Sequence, residues 1–305
     1  MFEIIVVSNF YVDVSRFGQN SKIRTILMDG DMGEYLFAGL SIAKYDIIAF
    51  LDDDDTFDSG KLMRLMEIFS ANRQLCYYHN DVKYVDRSGH KIDYIRLVEK
   101  SSQTLNGKSL IFGAKSNPRA IKVALENRGD FNLSSITIRR DCYLKYLLQL
   151  KQIKGNPEGF FFWTGIIGMG QLMVDNEKLT NYRVHDMNES GPLNFISKAQ
   201  VVQRQIYTYD LILNFLEKNP APYKITEEPK KWIFLLKYEY ELMSAIFTNS
   251  SRVSILMQIR RLLTIGVKYS NTLKFRVLLF SCIAIINHDF AQRLYIKMRT
   301  RKHKN

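Results

Sequence analysis

Apolar positions recur along this chain in two rhythms, short β-branched runs in its first half and long helical spacings in its last third. Residues 3–7 (EIIVV) form a largely β-branched run, which predicts a strand buried on both faces of a parallel sheet. A shorter run spans Ile23–Leu27, and another spans Tyr45–Leu51 (YDIIAFL). Between these two, Tyr35–Lys44 has helix-compatible spacing, so the local order is strand, helix, strand and the class is α/β.

Farther on, Lys61–Phe69 (KLMRLMEIF) sets Leu62, Leu65, Met66 and Phe69 at helical spacing, with Lys61, Arg64 and Glu67 on the other face. Gln74–Val85 partly alternates and ends in a polar turn at Asp86–Gly89, which predicts a strand and hairpin. Lys100–Asp130 is polar and irregular, a long excursion of the kind common near active sites. Ser135–Ile138 predicts a strand leading into a helix that begins near Asp141. From Leu193 the pattern becomes helical: Ala199–Glu217, Pro229–Phe247, Ser251–Tyr269 and a basic tail helix. Ser190-Gly191-Pro192 punctuates the change, dividing the chain into residues 1–192 and 193–305.

The chain has 305 residues, 46% of them apolar, enough for a sizeable core. Its three cysteines, Cys76, Cys142 and Cys282, lie far apart and form no CxxC pair, so neither disulfides nor a zinc site is expected and a reducing, cytoplasmic setting is. No signal peptide is visible after Met1, and Val277–Ile286, the most apolar stretch, is too short to span a bilayer. The net charge of +12 admits nucleic acid, anionic lipid or a polyanionic substrate. From Leu273 onward eight basic residues face Asp289 alone, and no aromatics interleave with them on a predicted sheet face, which argues against a nucleic-acid partner.

Asp52-Asp53-Asp54-Asp55 follows directly on the apolar run ending Ala49-Phe50-Leu51. Ligands of open α/β sheets bind outside the carboxyl ends of strands, where these four carboxylates fall. Clustered like charges repel, and Mg²⁺ or Mn²⁺ with substrate phosphate would relieve the repulsion through hard oxygen ligands. In an extended segment Asp52 and Asp54 alternate and point the same way. On residues alone a solvated acidic loop, or a helix N-cap at Asp58 or Ser59, remains an equal reading.

The stretch from Gly39 through Asp55 (GLSIAKYDIIAFLDDDD), with Lys61-Leu62 soon after, resembles the central motif of family 2 glycosyltransferases, in which an apolar strand leads into LDxDD and KL opens the next helix. Two further matches arrive in family order. Ser134–Asp141 (SSITIRRD) resembles the strand-to-helix piece before the acceptor site, and Leu179–Ser190 (LTNYRVHDMNES) is similar to the closing YRxHxxNxS element. The resemblance covers about residues 3–190. It implies a GT-A (Rossmann-like) nucleotide-sugar-binding sheet flanked by helices, with Asp52 and Asp54 at a Mn²⁺ or Mg²⁺ ion and the donor diphosphate, Asp53 at the donor and Asp55 shaping the site. It places Arg183 at phosphate and His185 at the metal or diphosphate.

Three departures qualify the match. Family members begin with a strand, a nucleotide-contacting loop and a helix before the strand that Glu3–Val7 resembles, so a first strand-helix unit is expected to precede Met1 in the coding sequence. Ser8-Asn9 stands where the family usually places Asp-Asp to grip the base; Asn9 still donates and accepts hydrogen bonds. Inverting members carry Glu-Asp shortly before a tryptophan, and here the stretch Pro157–Trp163 (PEGFFFW) has Gly159 at the aspartate position, leaving Glu158 as the nearest carboxylate for a catalytic base. The run Phe160–Trp163 reads as core or as a platform for a sugar ring.

The implied activity is an inverting transfer from a nucleotide-diphosphate sugar to a glycan or lipid-linked acceptor. The basic C-terminal helices either rest on an anionic membrane at its cytoplasmic face or pack as an appendage on the catalytic domain. Gly159 and the absent first unit support a different class, an inactive glycosyltransferase-like binding protein. A nucleotidyltransferase would require a glycine-rich phosphate loop and signature lysine that the chain lacks.

Overall fold

We describe a computed structural model over residues 2–15, 22–92, 109–113, 118–168, 170–185, 195–218, 227–248, 250–266 and 272–300. Among the described residues the chain is mixed α/β to residue 185 and helical from residue 195 onward, as expected. Strands β1 (Ile4–Ser8) and β2 (Ile23–Leu27) pair in parallel as a two-stranded sheet. Helix α1 (Met32–Ile42) follows, its start fixed by the Glu34 carboxylate, which accepts the Asp31 N–H at 2.9 Å.

Next come β3 (Ile47–Ala49), β4 (Thr56–Phe57), α2 (Lys61–Ala71), β5 (Leu75–Val85), β6 (Leu110–Gly113), α3 (Pro118–Glu126), β7 (Ile136–Arg139), α4 (Leu147–Leu150), α5 (Pro157–Ile167) and β8 (Gln171–Arg183). The second sheet has the order β3-β7-β5-β8-β4, with β6 on β8. Its two long strands, β5 and β8, pair in parallel, and β7 runs antiparallel to β3 and β5. Five helices follow: α6 (Phe195–Lys218), α7 (Glu227–Phe247), α8 (Arg252–Gly266), α9 (Thr272–Ile286) and α10 (His288–Thr300).

One apolar cluster joins the sheet to these helices. It runs from Tyr77, Ile136 and Ile138 through Phe160–Trp163 to Tyr209, Ile212, Trp232 and Ile255. The Phe160–Trp163 rings are fully enclosed in it, so they are core and present no platform to a sugar.

Several expectations from the pattern are corrected. β1 is not buried on both faces: Ile4 is 44% exposed and the rest of the strand half-buried, because among the described residues β1 hydrogen-bonds only β2 and no strand joins it to β3. On α2 the expected faces are exchanged in part. Lys61 is fully buried, whereas Leu62 and Met66 are 48% and 66% exposed. Hydropathy cannot foresee this, since a lysine stem is apolar and its ammonium can be buried when acceptors meet it. The stretch after β7 makes two 3₁₀ turns, Arg140–Cys142 and Leu144–Tyr146, before α4, rather than a helix from Asp141. The excursion of residues 100–130 contains β6 and α3; residues 93–108 and 114–117 lie outside the described residues. Cys76 and Cys142, with Cα atoms 5.9 Å apart, form a disulfide that spacing in sequence concealed, because antiparallel β5 and β7 bring their ends together.

The first β-α unit is fastened to the rest by close backbone contact. Gly33 N–H donates to the Ile153 carbonyl at 2.8 Å, and a Cβ at Gly33 would lie 2.1 Å from the Leu150 carbonyl oxygen. Arg24 reaches across to Glu3 and to the Ile42 carbonyl, and Glu3 also accepts the Lys44 N–H. Gly33→Ala is therefore expected to lower unfolding free energy by about 1–3 kcal/mol, as overpacking against backbone does, measured as a lower denaturant midpoint.

Candidate active site

The acidic run turns rather than extends. β3 ends at Ala49, the Phe50 N–H donates to the Ile136 carbonyl, and the Asp55 N–H then closes back on the Asp52 carbonyl at 3.3 Å, a tight turn with Asp53 and Asp54 at its corner. The four side chains consequently meet different surroundings, which corrects the expectation of an extended segment. Asp53 is exposed, Asp52 and Asp54 are half-buried and Asp55 is buried. Burial first, and then the charges of Asp55 and Asp54, push the Asp52 carboxyl up to about 7 against the hydrogen bond from Ser134. Burial also raises Asp55, opposed chiefly by the Arg183 N–H that its carboxylate accepts at 2.9 Å.

The end of β8 folds over this turn. The Arg183 guanidinium donates to the carbonyls of Asp54 (2.7 Å), Asp86 (3.1 Å) and Arg87, so it ties the acidic turn to the hairpin after β5. His185 Nε2 lies 2.9 Å from an Asp54 carboxylate oxygen. The turn, Arg183 and His185, far apart in the chain, are thus brought together.

Beneath them lies a polar network centred on Ser134. Its hydroxyl accepts the Asp52 N–H at 2.9 Å, and its carbonyl accepts Lys61 Nζ at 2.6 Å and the Thr180 hydroxyl at 3.1 Å. Lys61 Nζ also donates to Thr180 Oγ1 at 2.9 Å, which accepts from Asn80 as well, and it stands 4.1 Å from the centre of the Phe57 ring. Burial pulls the Lys61 ammonium down to about 7, with the Asp55 charge opposing. The resemblance includes Lys61 only as the residue opening the helix after the acidic run, and the helical pattern sets it on the polar face; its burial beneath the acidic turn corrects that placement.

Ser8 and Asn9 sit at the end of β1, where the Ser8 hydroxyl donates to the Phe10 carbonyl; no hydrogen bond or ion pair between described residues joins either to the acidic turn. Glu158 is half-buried in the first turn of α5. The helix is capped by Asn156, whose side-chain amide oxygen Oδ1 accepts the Gly159 N–H at 3.1 Å. A Cβ at Gly159 would come within 2.5 Å of that Asn156 amide, so the cap and the missing aspartate go together. A second carboxylate joins Glu158: Asp130 is half-buried and pushed up to about 6 by burial, and the Tyr77 phenol, raised chiefly by its own burial and then by Tyr143, is raised further by the charges of Asp130 and Glu158.

Among the described residues no group of three His, Cys, Asp or Glu side chains is arranged to hold a metal ion. The donor chemistry nevertheless fits a hard divalent cation in part. Two half-buried carboxylates, Asp52 raised by burial and then by the neighbouring charges, leave room in the coordination sphere for phosphate oxygens and water, the usual Mg²⁺ arrangement.

Residues 2–125 match the sequence profile of Glycosyl transferase family 2. No curated protein matches the chain. Among solved structures, S. aureus TarS 1–349 in complex with UDP-GlcNAc is similar with a TM-score of 0.47 and 11% identity, over 88% of this chain and 82% of that one. S. aureus TarS 1–349 alone gives 0.45 and 11% over the same shares, and a further S. aureus TarS structure gives 0.44 and 10%, over 89% of this chain and 49% of that one.

Lys61 gives the site a pH signature. Its folded pKa of about 7 lies below the 10.5 of an ordinary lysine, so between these limits the unfolded chain binds the extra proton and stability rises with pH. Denaturant midpoints of the wild type are expected to climb across that window by up to about 1.4 kcal/mol per pH unit, and Lys61→Met is expected to lack the climb.

Proposed function

We propose that this chain, a member of glycosyl transferase family 2 through residues 2–125, transfers a sugar from a nucleotide-diphosphate donor to a glycan or lipid-linked acceptor hydroxyl with inversion. The observation that carries the reading is the acidic turn after β3 with Arg183 and His185 closed over it, since four consecutive carboxylates meet a histidine there. Asp52 and Asp54 would hold Mn²⁺ or Mg²⁺, with His185 at the metal or diphosphate and Asp53 exposed toward the donor. The cation would supply charge neutralisation of the departing diphosphate. Arg183 acts through the backbone: by holding the carbonyls of Asp54, Asp86 and Arg87 it fixes the turn that presents the carboxylates. Ser8 and Asn9, at the end of β1, are the candidates for the nucleobase.

The acceptor hydroxyl attacks the anomeric carbon as its proton passes to a carboxylate, and the bond to the diphosphate oxygen breaks. Glu158 is the first candidate for this base, and Asp130, held near pKa 6 at the same tyrosine, is the substitute. With a donor-acceptor pair in hand, replacing the true base by its amide is expected to lower kcat by about 10²–10⁴-fold with donor affinity unchanged. If Asp130 serves, the rate falls as pH drops through about 6 and Asp130→Asn removes that limb while Glu158→Gln keeps it. The reading itself is tested by calorimetric titration of UDP and GDP into the chain with and without Mn²⁺. Metal-dependent binding of one nucleotide, lost in Asp54→Ala, is expected; no binding with metal would remove the donor site.

A further inference from the structure

Helix α8 leaves an apolar stripe uncovered. Ile255 and Leu262 are buried toward α7 and α9, while Val253, Leu256, Met257 and Leu263 are 65%, 53%, 55% and 48% exposed. These four positions recur at helical spacing and share one face with exposed Arg260 at its centre; exposed Arg252 and Arg261 lie toward the two borders. Arg261 also approaches Glu241 of α7, at 3.9 Å, and α8 itself carries no acidic residue. The charge of α8 is therefore one-sided, three arginines and no carboxylate along Arg252–Gly266.

We propose that this face of α8 docks on a bilayer surface bearing anionic headgroups, with the four apolar side chains at the acyl boundary and the arginines at the phosphates. A helix lying in the membrane interface presents apolar side chains together with cations, and the arginine stems, that of central Arg260 included, can lie along the apolar layer while their heads reach the phosphates. Spanning is not required: among the described residues no helix is long and apolar enough to cross a membrane. A second copy of the chain fits the face less well, because a two-fold contact would bring like arginines together. A nucleic acid would meet the arginines but leave the apolar groups on either side of Arg260 without partners. The inference is independent of sugar transfer and fails or stands separately from it.

The test is sedimentation of the full chain with vesicles of phosphatidylcholine alone and of phosphatidylcholine with phosphatidylglycerol. Wild type is expected to bind the anionic vesicles, less at high salt, and to leave the neutral ones. Leu256→Ser with Met257→Ser, and separately Arg252→Glu with Arg260→Glu, are each expected to weaken partition by about tenfold or more, with circular dichroism unchanged because all four side chains are exposed. Absence of binding to anionic vesicles, equal binding to both compositions, binding unchanged by both variants, or a wild-type dimer that the serine variant makes monomeric would each overturn the proposal.

Discussion

A fully buried lysine sits below four consecutive aspartates, and the site depends on how its charge is satisfied. Lys61 enters the interior from the first turn of α2, and its ammonium finds the Ser134 carbonyl and the Thr180 hydroxyl. An ammonium without acceptors would be too costly to bury. With them, it becomes the point at which α2, β8 and the segment before β7 are tied together, and Asp55 supplies the opposing charge. Ser134 passes the constraint upward, since its hydroxyl holds the Asp52 N–H and thus the start of the acidic turn. Arg183 fixes the same turn from above through backbone carbonyls. Carboxylates that would repel each other in a loose loop are held in one place by neighbours on every side.

Much of this was legible in the chain, for physical reasons. Strands with β-branched runs and long helices with recurring apolar positions declare themselves because burial of one face is their main source of stability. Asp52 and Asp54 stand out by residue type and place, Arg183 and His185 through the family resemblance, and the fold brings together the two segments that carry them. What the pattern could not give was tertiary satisfaction. Lys61 has the hydropathy of a surface residue, Ser134 that of a loop residue and Asp130 no motif at all, yet each takes its character from partners distant in sequence. The Cys76–Cys142 bond was hidden likewise, because it depends on the pairing of β5 with β7. The extended geometry assumed for the acidic run failed because the Asp55 N–H reaches back to the Asp52 carbonyl, a choice made by the turn and not by the composition.

The two parts of the chain divide the physical work. The sheet supplies a rigid base on which the acidic turn is mounted, and the enclosed Phe160–Trp163 run couples that base to the helices beyond residue 195. The helices carry nearly all of the net positive charge, while the carboxylates at the site gather the negative.

The most direct measurement of the central claim is the release of nucleoside diphosphate from a panel of UDP- and GDP-sugars by the chain with Mn²⁺, compared with Asp52→Asn. The account predicts release from at least one sugar nucleotide, dependent on the metal and abolished by the substitution. Release that persists unchanged in Asp52→Asn would contradict it.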